Sequence, residues 1–284
     1  MLRSLFAGIS GLRVNQTMLD VTGNNIANAN TIGFKASTTV FQDTLSQMLT
    51  GASGASAAAG TGGTNPIQVG LGVQIAAIST NFNQGSQQTT GRSTDLMIQG
   101  DGFFVVRTGS QDLYTRAGAF SFDENGTLVT PNGARVQGYR LDAAGNPTGG
   151  LVDVNLDTTT LGLPAGVTLT TYEIGSDGMV TGTFSDGVQR PMVQLAIADF
   201  NNPMGLTKVG DTAFRESANS GTAQLGVSGQ GRRGQLVGGS LEMSNVDLAA
   251  EFTNLILAQR GFQASSRVIT TSDQVLEDLV NIKR

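Results

Sequence analysis

The sequence predicts an α+β chain: long N- and C-terminal helices paired as a coiled-coil-like stalk, with a central all-β domain of barrel or sandwich type between them. Three observations predict it. Apolar residues recur at alternating steps of four and three at both ends of the chain, a heptad rhythm that places them on one helical stripe. The middle shows short apolar runs punctuated by Asn-Gly and Asp-Gly turn signals every eight to twelve residues. Between the first helix and the middle lies a stretch of small residues.

At the N-terminal end the stripe comprises Leu5, Ile9, Leu12, Leu19 and Ile26, following Leu2, with Gln16 and Gly23 in the same seam. The segment 1–12 carries one early Arg, but Ser4 and Ser10 interrupt it and no small-x-small cleavage site follows. An amphipathic helix is therefore expected there rather than a cleaved signal peptide. At the C-terminal end the stripe comprises Leu248, Phe252, Leu255, Phe262, Ile269, Leu276 and Val280, with Gln259, Ser266 and Asp273 in the intervening positions. Ser244-Asn245-Val246-Asp247 reads as the helix start, with Ser or Asn as the cap and Asp in the first turn. Two such helices are expected to pack side by side. Ile256, Val275, Leu279 and Ile282 lie off the stripe, so apolar surface remains for further copies of the chain.

The expected organisation is a terminal helical core domain (1–35 and 242–284), a flexible connecting segment (36–70) and a β domain (71–241). Residues 50–64 are the low-complexity part of the connection. Within the β domain, Val73–Phe82, Leu96–Gln99, Phe103–Arg107, Tyr114–Phe122 and Met192–Phe200 read as strand regions. Asn125-Gly126, Asp177-Gly178 and Asp186-Gly187 read as turns. Residues 142–171 read as a small outer insertion.

Composition removes most chemistry. Across 284 residues there is no His, Cys or Trp, which excludes His-based triads, His/Cys zinc sites, disulfides and thiol nucleophiles. A net charge of −5 offers no global field for nucleic acid, and no apolar run is long enough to span a bilayer. The motif Gly229-Gln-Gly-Arg-Arg-Gly234 has the letters of a dinucleotide fingerprint without the βαβ context it needs. Asp153-Val-Asn-Leu-Asp157 opens like a calcium loop, but Pro164 stands where the bidentate Glu belongs. A carboxylate-dependent hydrolase would have to use Asp95, Asp101, Asp123 or Glu124, and a Ser–Lys nucleophile Lys35, Lys208 or Lys283. No catalytic residue, cofactor or metal is expected.

The first helix ends in Asn24-Asn25-Ile26-Ala27-Asn28-Ala29-Asn30-Thr31-Ile32-Gly33-Phe34-Lys35. Physically this is an Asn cluster that ends a helix, a Gly that permits a tight turn, and an anchoring Phe. The segment, with Asn25, Asn28, Thr31, Gly33 and Phe34 as its signature, resembles the flagellar rod and hook proteins. Asn65–Val73, Asn81–Gly85, Asp95–Phe104, Leu241–Leu248 and Ala258–Gln263 are similar to the same family, in the same order, so the resemblance covers about two-thirds of the chain.

The resemblance implies a structural subunit, not an enzyme, that polymerises helically through its terminal helices. The twelve stripe residues Leu5, Ile9, Leu12, Leu19, Ile26, Leu248, Phe252, Leu255, Phe262, Ile269, Leu276 and Val280 would carry that assembly. Two family members compete. Gly100–Val106, Asn81–Gly85 and Asn245–Leu248 look more like the hook, a flexible tubular joint that transmits torque from rod to filament. The alternative is the distal rod, the drive shaft, since familiar hook proteins carry a large outer domain that 142–171 could supply only as a fragment. The implied partners are further copies of the chain, the distal rod protein, the hook cap, the hook–filament junction protein and the flagellar export apparatus, with neither nucleic acid nor membrane insertion. The implied location is extracellular, in the hook and basal body, after export without a cleavable signal peptide.

Overall fold

The computed structural model describes residues 2–54, 62–141, 147–156 and 168–282. The chain divides into two compact units. One draws on Met1–Ala27, Ser37–Thr80 and Asp247–Arg284, the other on Asn28–Ala36 and Asn81–Val246. With two helices flanking a β-rich middle, the chain has the α+β class the sequence predicts.

The first unit contains α1 (Leu2–Ala27), β1 (Ser37–Asp43), β2 (Ser46–Thr50), β3 (Ile67–Gly70), β4 (Val73–Thr80) and α2 (Leu248–Ile282). α2 is 35 residues long, about 52 Å at 1.5 Å per residue. Its N-cap is Asp247, whose Oδ1 accepts the backbone N–H groups of Ala249 (2.9 Å) and Ala250 (3.2 Å). The expected cap, Ser244 or Asn245, is corrected here. The Ser244 Oγ accepts from the Val246 N–H, and the Asn245 amide binds backbone groups at three other positions.

The two helices approach most closely at small residues, with Ile269 of the heptad stripe packed over Gly8. Ala258 and Ser272 are buried on α2, as are Gly8, Val14 and Thr22 on α1, whereas Gln16, Gln259 and Asp273 of the expected seam are exposed. A Cβ added at Gly11 would lie 2.9 Å from Ser265 Oγ, and one at Gly261 2.5 Å from Asn15 Oδ1. These glycines let the backbones approach more closely than Leu or Phe knobs would allow. The stripe is only partly covered in the single chain. Leu5, Ile9, Leu12, Leu19, Ile26, Leu255, Phe262 and Ile269 are half-buried. Leu248 (44%), Phe252 (52%), Leu276 (36%) and Val280 (68%) are exposed.

The stretch 36–70, expected as a connecting segment, supplies three strands. β1 pairs antiparallel with β4 from Ser37↔Thr80 to Asp43↔Val73, and β2 pairs with β3 from Ser46↔Gly70 to Thr50↔Ile67. A bridge between Ser53 and Thr64 continues the second hairpin, so the described part of the low-complexity segment 50–64 is hairpin; residues 55–61 lie outside the described residues. β4, assigned by sequence to the β domain, belongs with the helices because its ladder partner is β1.

The second unit holds seventeen strands among the described residues. In chain order they are β5 (Gln87–Thr89), β6 (Leu96–Gln99), β7 (Phe103–Thr108), β8 (Gln111–Thr115), β9 (Ser121–Phe122), β10 (Leu128–Val129), β11 (Arg135–Leu141) and β12 (Pro147–Asp153). There follow β13 (Leu169–Ile174), β14 (Met179–Phe184), β15 (Gln189–Leu195), β16 (Ile197–Asp199) and β17 (Thr207–Gly210). The last are β18 (Ala213–Arg215), β19 (Gln224–Gly226), β20 (Gln235–Gly238) and β21 (Ser240–Glu242). Thirteen strands form one antiparallel sheet whose main path runs β13–β14–β15–β11–β7–β8–β18–β17. Two further pairs, β20–β6 and β21–β5, bring the end of the unit's chain back to its beginning.

β7 explains why its sequence is a continuous apolar run. Successive side chains point to opposite faces: Phe104 and Val106 enter one core cluster, Phe103 and Val105 another. The second cluster is aromatic, with Phe103 edge-on to Phe200 and Phe200 edge-on to Tyr114, ring centroids 5.8 and 4.8 Å apart. The turn signals lie where the sequence placed them. Asp123 Oδ1 accepts the N–H groups of Asn125 and Thr127 in the loop joining β9 to β10. Asp177 and Asp186 likewise cap the β13–β14 and β14–β15 turns. Of 142–171, expected as an insertion, Pro147–Asp153 instead pairs with β11 and Val154 is fully buried in the core. Residues 142–146 and 157–167 lie outside the described residues.

Tyr114 gives this core a pH signature. Burial, foremost, pushes its hydroxyl up to about 12, with the charges of Glu216 and Asp112 adding. An unfolded tyrosine ionises near ~10. Between those values the unfolded chain has lost the proton and the folded one retains it, so stability present below pH ~10 drains away as pH rises toward 12. An absorbance titration of the three tyrosines should therefore show at least one ionising only near pH 12 or together with unfolding. Coincident transitions of all the tyrosines near pH ~10 in a folded chain would contradict it.

Candidate functional site

The residues that carry the sequence resemblance converge at the places where the chain enters and leaves the second unit. Residues 28–36, 81–85 and 241–245 lie side by side there as a collar knitted by polar groups. The Asn245 side chain accepts the Ala36 N–H (2.9 Å) and donates to the carbonyls of Asn81 (2.8 Å) and Asn83 (3.0 Å). Backbone bonds from Gly33 to Glu242 and from Asn81 to Ala36, both 2.8 Å, complete the crossing. One amide thus satisfies backbone groups that no ladder reaches, on two segments distant in sequence from its own.

Beneath it lies an ion cluster. Lys35 Nζ donates to Glu242 Oε1 at 2.6 Å and to the Asn83 carbonyl at 2.8 Å, and both charged side chains are fully buried. Glu242 Oε1 also accepts the Gly85 N–H (2.9 Å). On the other side, Arg116 Nη1 lies 3.5 Å from Glu242 Oε2, too long for a strong hydrogen bond. The Arg116 guanidinium also sits 5.3 Å over the Phe103 ring. Burial lowers the pKa of both cations, against the raising effect of the Glu242 charge.

The signature residues each have a structural task. Asn25 is buried in the first unit, where its amide donates to the Glu251 carboxylate (3.0 Å) and the Ser37 carbonyl (2.8 Å) and accepts the Ser37 N–H (3.0 Å). Asn28 accepts the Thr31 hydroxyl through Oδ1 (3.0 Å). Phe34 lies under the Lys208 ammonium, 5.2 Å from the ring centroid. Gly33 has φ +68°, and a Cβ there would come within 2.5 Å of the Ala117 nitrogen. Gly33→Ala should therefore cost about 2–4 kcal/mol, the left-handed penalty plus displacement of a backbone that has nowhere to move. Urea denaturation followed by circular dichroism would register it, and a variant within about 1 kcal/mol of the parent would refute it.

The candidates for catalysis are not assembled for it. Asp123 caps a turn, and Asp95 accepts the Thr90 hydroxyl at 2.6 Å. Lys35 is committed to Glu242, and Lys208 Nζ donates to the Lys35 carbonyl. Asp153, from the calcium-like motif, receives Gln137 Nε2 (2.6 Å) and Arg135 Nη1 (3.0 Å). In the glycine motif Arg233 donates to the carbonyls of Gln224, Leu225 and Gln230, which makes it a staple of its own turn. Among the described residues no cluster of three or more acidic side chains could hold a metal, and no helix is long and apolar enough to cross a membrane. The ion cluster escapes a reading of the sequence. Lys35 and Glu242 stand 207 positions apart, and their one local signal is a charge inside each family-like motif.

Comparison with known proteins matches three segments of the chain to flagellar rod and hook families. Residues 5–35 match the family "Flagella basal body rod protein". Residues 97–182 match "Flagellar hook protein FlgE/F/G D1 domain", and 237–282 match "Flagellar basal body rod FlgEFG protein C-terminal". Over the whole of both chains the protein is 47% identical to the flagellar basal-body rod protein FlgG of Bacillus subtilis, in an alignment of 285 residues. The chain belongs to the flagellar hook and rod axial protein family. Two relatives from Borreliella burgdorferi separate the family's branches by length. The chain is 34% identical to the rod protein FlgG over 292 residues and 31% identical to the hook protein FlgE over 443, with full coverage of all chains. As a member of this family the chain is a structural component of the flagellar basal body and hook, and not an enzyme.

Proposed function

We propose that the chain is the subunit of the distal flagellar rod, the drive shaft, rather than of the hook. The observation that carries this is length. The FlgG alignments run to 285 and 292 positions against the chain's 284, whereas the FlgE alignment runs to 443. The motifs around Asn81–Gly85 and Gly100–Val106 favour the hook, but the second lies within a domain family named for hook and rod proteins together.

The exposed face of α2 supports polymerisation. Phe252, Ile256, Leu257, Val268, Val275 and Leu279 are each at least 41% exposed, far more apolar surface than a solitary helix pair tolerates in water. Further copies of the chain cover it in this reading. Leu5, Ile9, Leu12, Leu19, Ile26, Leu248, Phe252, Leu255, Phe262, Ile269, Leu276 and Val280 supply the apolar contacts. Contacts that repeat by a rotation that does not close generate a helical tube. Its ends abut neighbouring axial segments, with the hook as the next one outward, and the subunit reaches its site through the flagellar export apparatus, beyond the cytoplasm. The hook cap and the hook–filament junction protein belong to the hook alternative. Polymers grown from the purified chain should be straight by electron microscopy; curved tubes would return the reading to the hook.

A further inference from the structure

The ion cluster of the second unit has an unbalanced charge count. Two cations, Lys35 and Arg116, face one carboxylate, Glu242, and all three side chains are 3% exposed or less. The three come from distant parts of the chain: the turn after α1, the residue after β8, and the last residue of β21. Arg116 Nε and Nη1 have no hydrogen-bond partner among the described residues. What Arg116 takes from Glu242 at 3.5 Å is therefore negative charge rather than a hydrogen bond. Asp101 also attracts Arg116, lining with it a cavity of about 100 Å³, but Lys35 has Glu242 as its one ion-pair partner within 4 Å among the described residues.

We propose that Glu242 is a latch that makes closure of the β unit conditional on its C-terminal strand. Until Ser240–Glu242 lies against Gln87–Thr89, Lys35 has no carboxylate to permit its burial and Arg116 has only the attraction of Asp101. Stripping water from uncompensated cations costs more than the core gains locally. The sheet core, with Phe104 and Leu195 fully buried, then stays open to solvent. Arrival of β21 supplies the charge, binds the Gly85 N–H and seals the unit in one step. A chain whose last strand has not been presented therefore holds its β unit unclosed, so the folded unit reports delivery of the chain as far as residue 242.

Native-state hydrogen exchange on the full chain tests this. Glu242→Gln keeps a carbonyl oxygen for Lys35 and Gly85 but removes the charge. It should lower protection of the Phe104 and Leu195 amides by roughly a hundredfold or more. Adding Lys35→Met and Arg116→Met to Glu242→Gln should restore protection to within about tenfold of the parent. Pulse labelling during refolding of the parent should show Leu241 and Phe104 gaining protection in the same phase. Unchanged protection in Glu242→Gln, a triple variant no better than the single one, or Phe104 protected before Leu241 would each overturn the latch.

Discussion

Phe252→Asp combined with Ile256→Asp is expected to abolish polymerisation while leaving the β unit folded. Both side chains are more than half exposed in the single chain, and both lie in the first unit, so the β unit loses no contact. In a polymer the same positions would bury apolar area worth about 1.5–3 kcal/mol each, and an unpaired carboxylate placed there is opposed by desolvation. A loss of about 3 kcal/mol or more per subunit raises the critical concentration more than a hundredfold. Sedimentation of the purified variant should show monomer alone, with the parent's near-ultraviolet spectrum. Pelleted polymer at the parent's concentration would remove this helix face from the assembly contact.

Asn245→Leu is expected to be the most damaging single substitution at the collar. It strands the Ala36 N–H and the Asn81 carbonyl, whereas the Asn83 carbonyl keeps the Lys35 ammonium. Backbone groups left unsatisfied away from water cost about 1–3 kcal/mol each, so a loss of about 2 kcal/mol or more should appear in urea unfolding. Asn245→Asp retains the acceptor and loses both donors, and should fall between parent and Leu. A Leu variant of parental stability would mean that water serves these groups equally well.

The elements of this fold are legible in the sequence to different degrees, for physical reasons. α1 and α2 announce themselves because a heptad of large apolar residues is visible in sequence. Their contact does not, because Gly11, Gly261 and Ser265 meet through backbone proximity, and small residues carry no periodic hydrophobic signal. The large stripe that suggests a complete intramolecular seam is only partly covered in the single chain, with Leu248, Phe252, Leu276 and Val280 exposed. The Asp-Gly and Asn-Gly turns are readable because Asp side chains bond their own backbone two residues on. β7 is readable as a strand but not as one buried on both faces. The strands β1–β3 are hidden because Val40-Phe41 and Met48-Leu49 fall as adjacent pairs rather than in strict alternation, and the small-residue run that follows suggests a linker. At the collar the signature shows its glycine and its phenylalanine. Asn245 reads as a helix cap, since an Asn before a helix usually bonds locally, and only the folded chain brings Ala36, Asn81 and Asn83 to it.

That this family member builds the distal rod is tested most directly by immunogold electron microscopy. Purified basal structures with attached hooks would be labelled with an antibody raised against the β unit. The rod assignment predicts gold confined to the straight shaft below the hook. Gold distributed along the curved external segment would contradict it and make the chain a hook subunit.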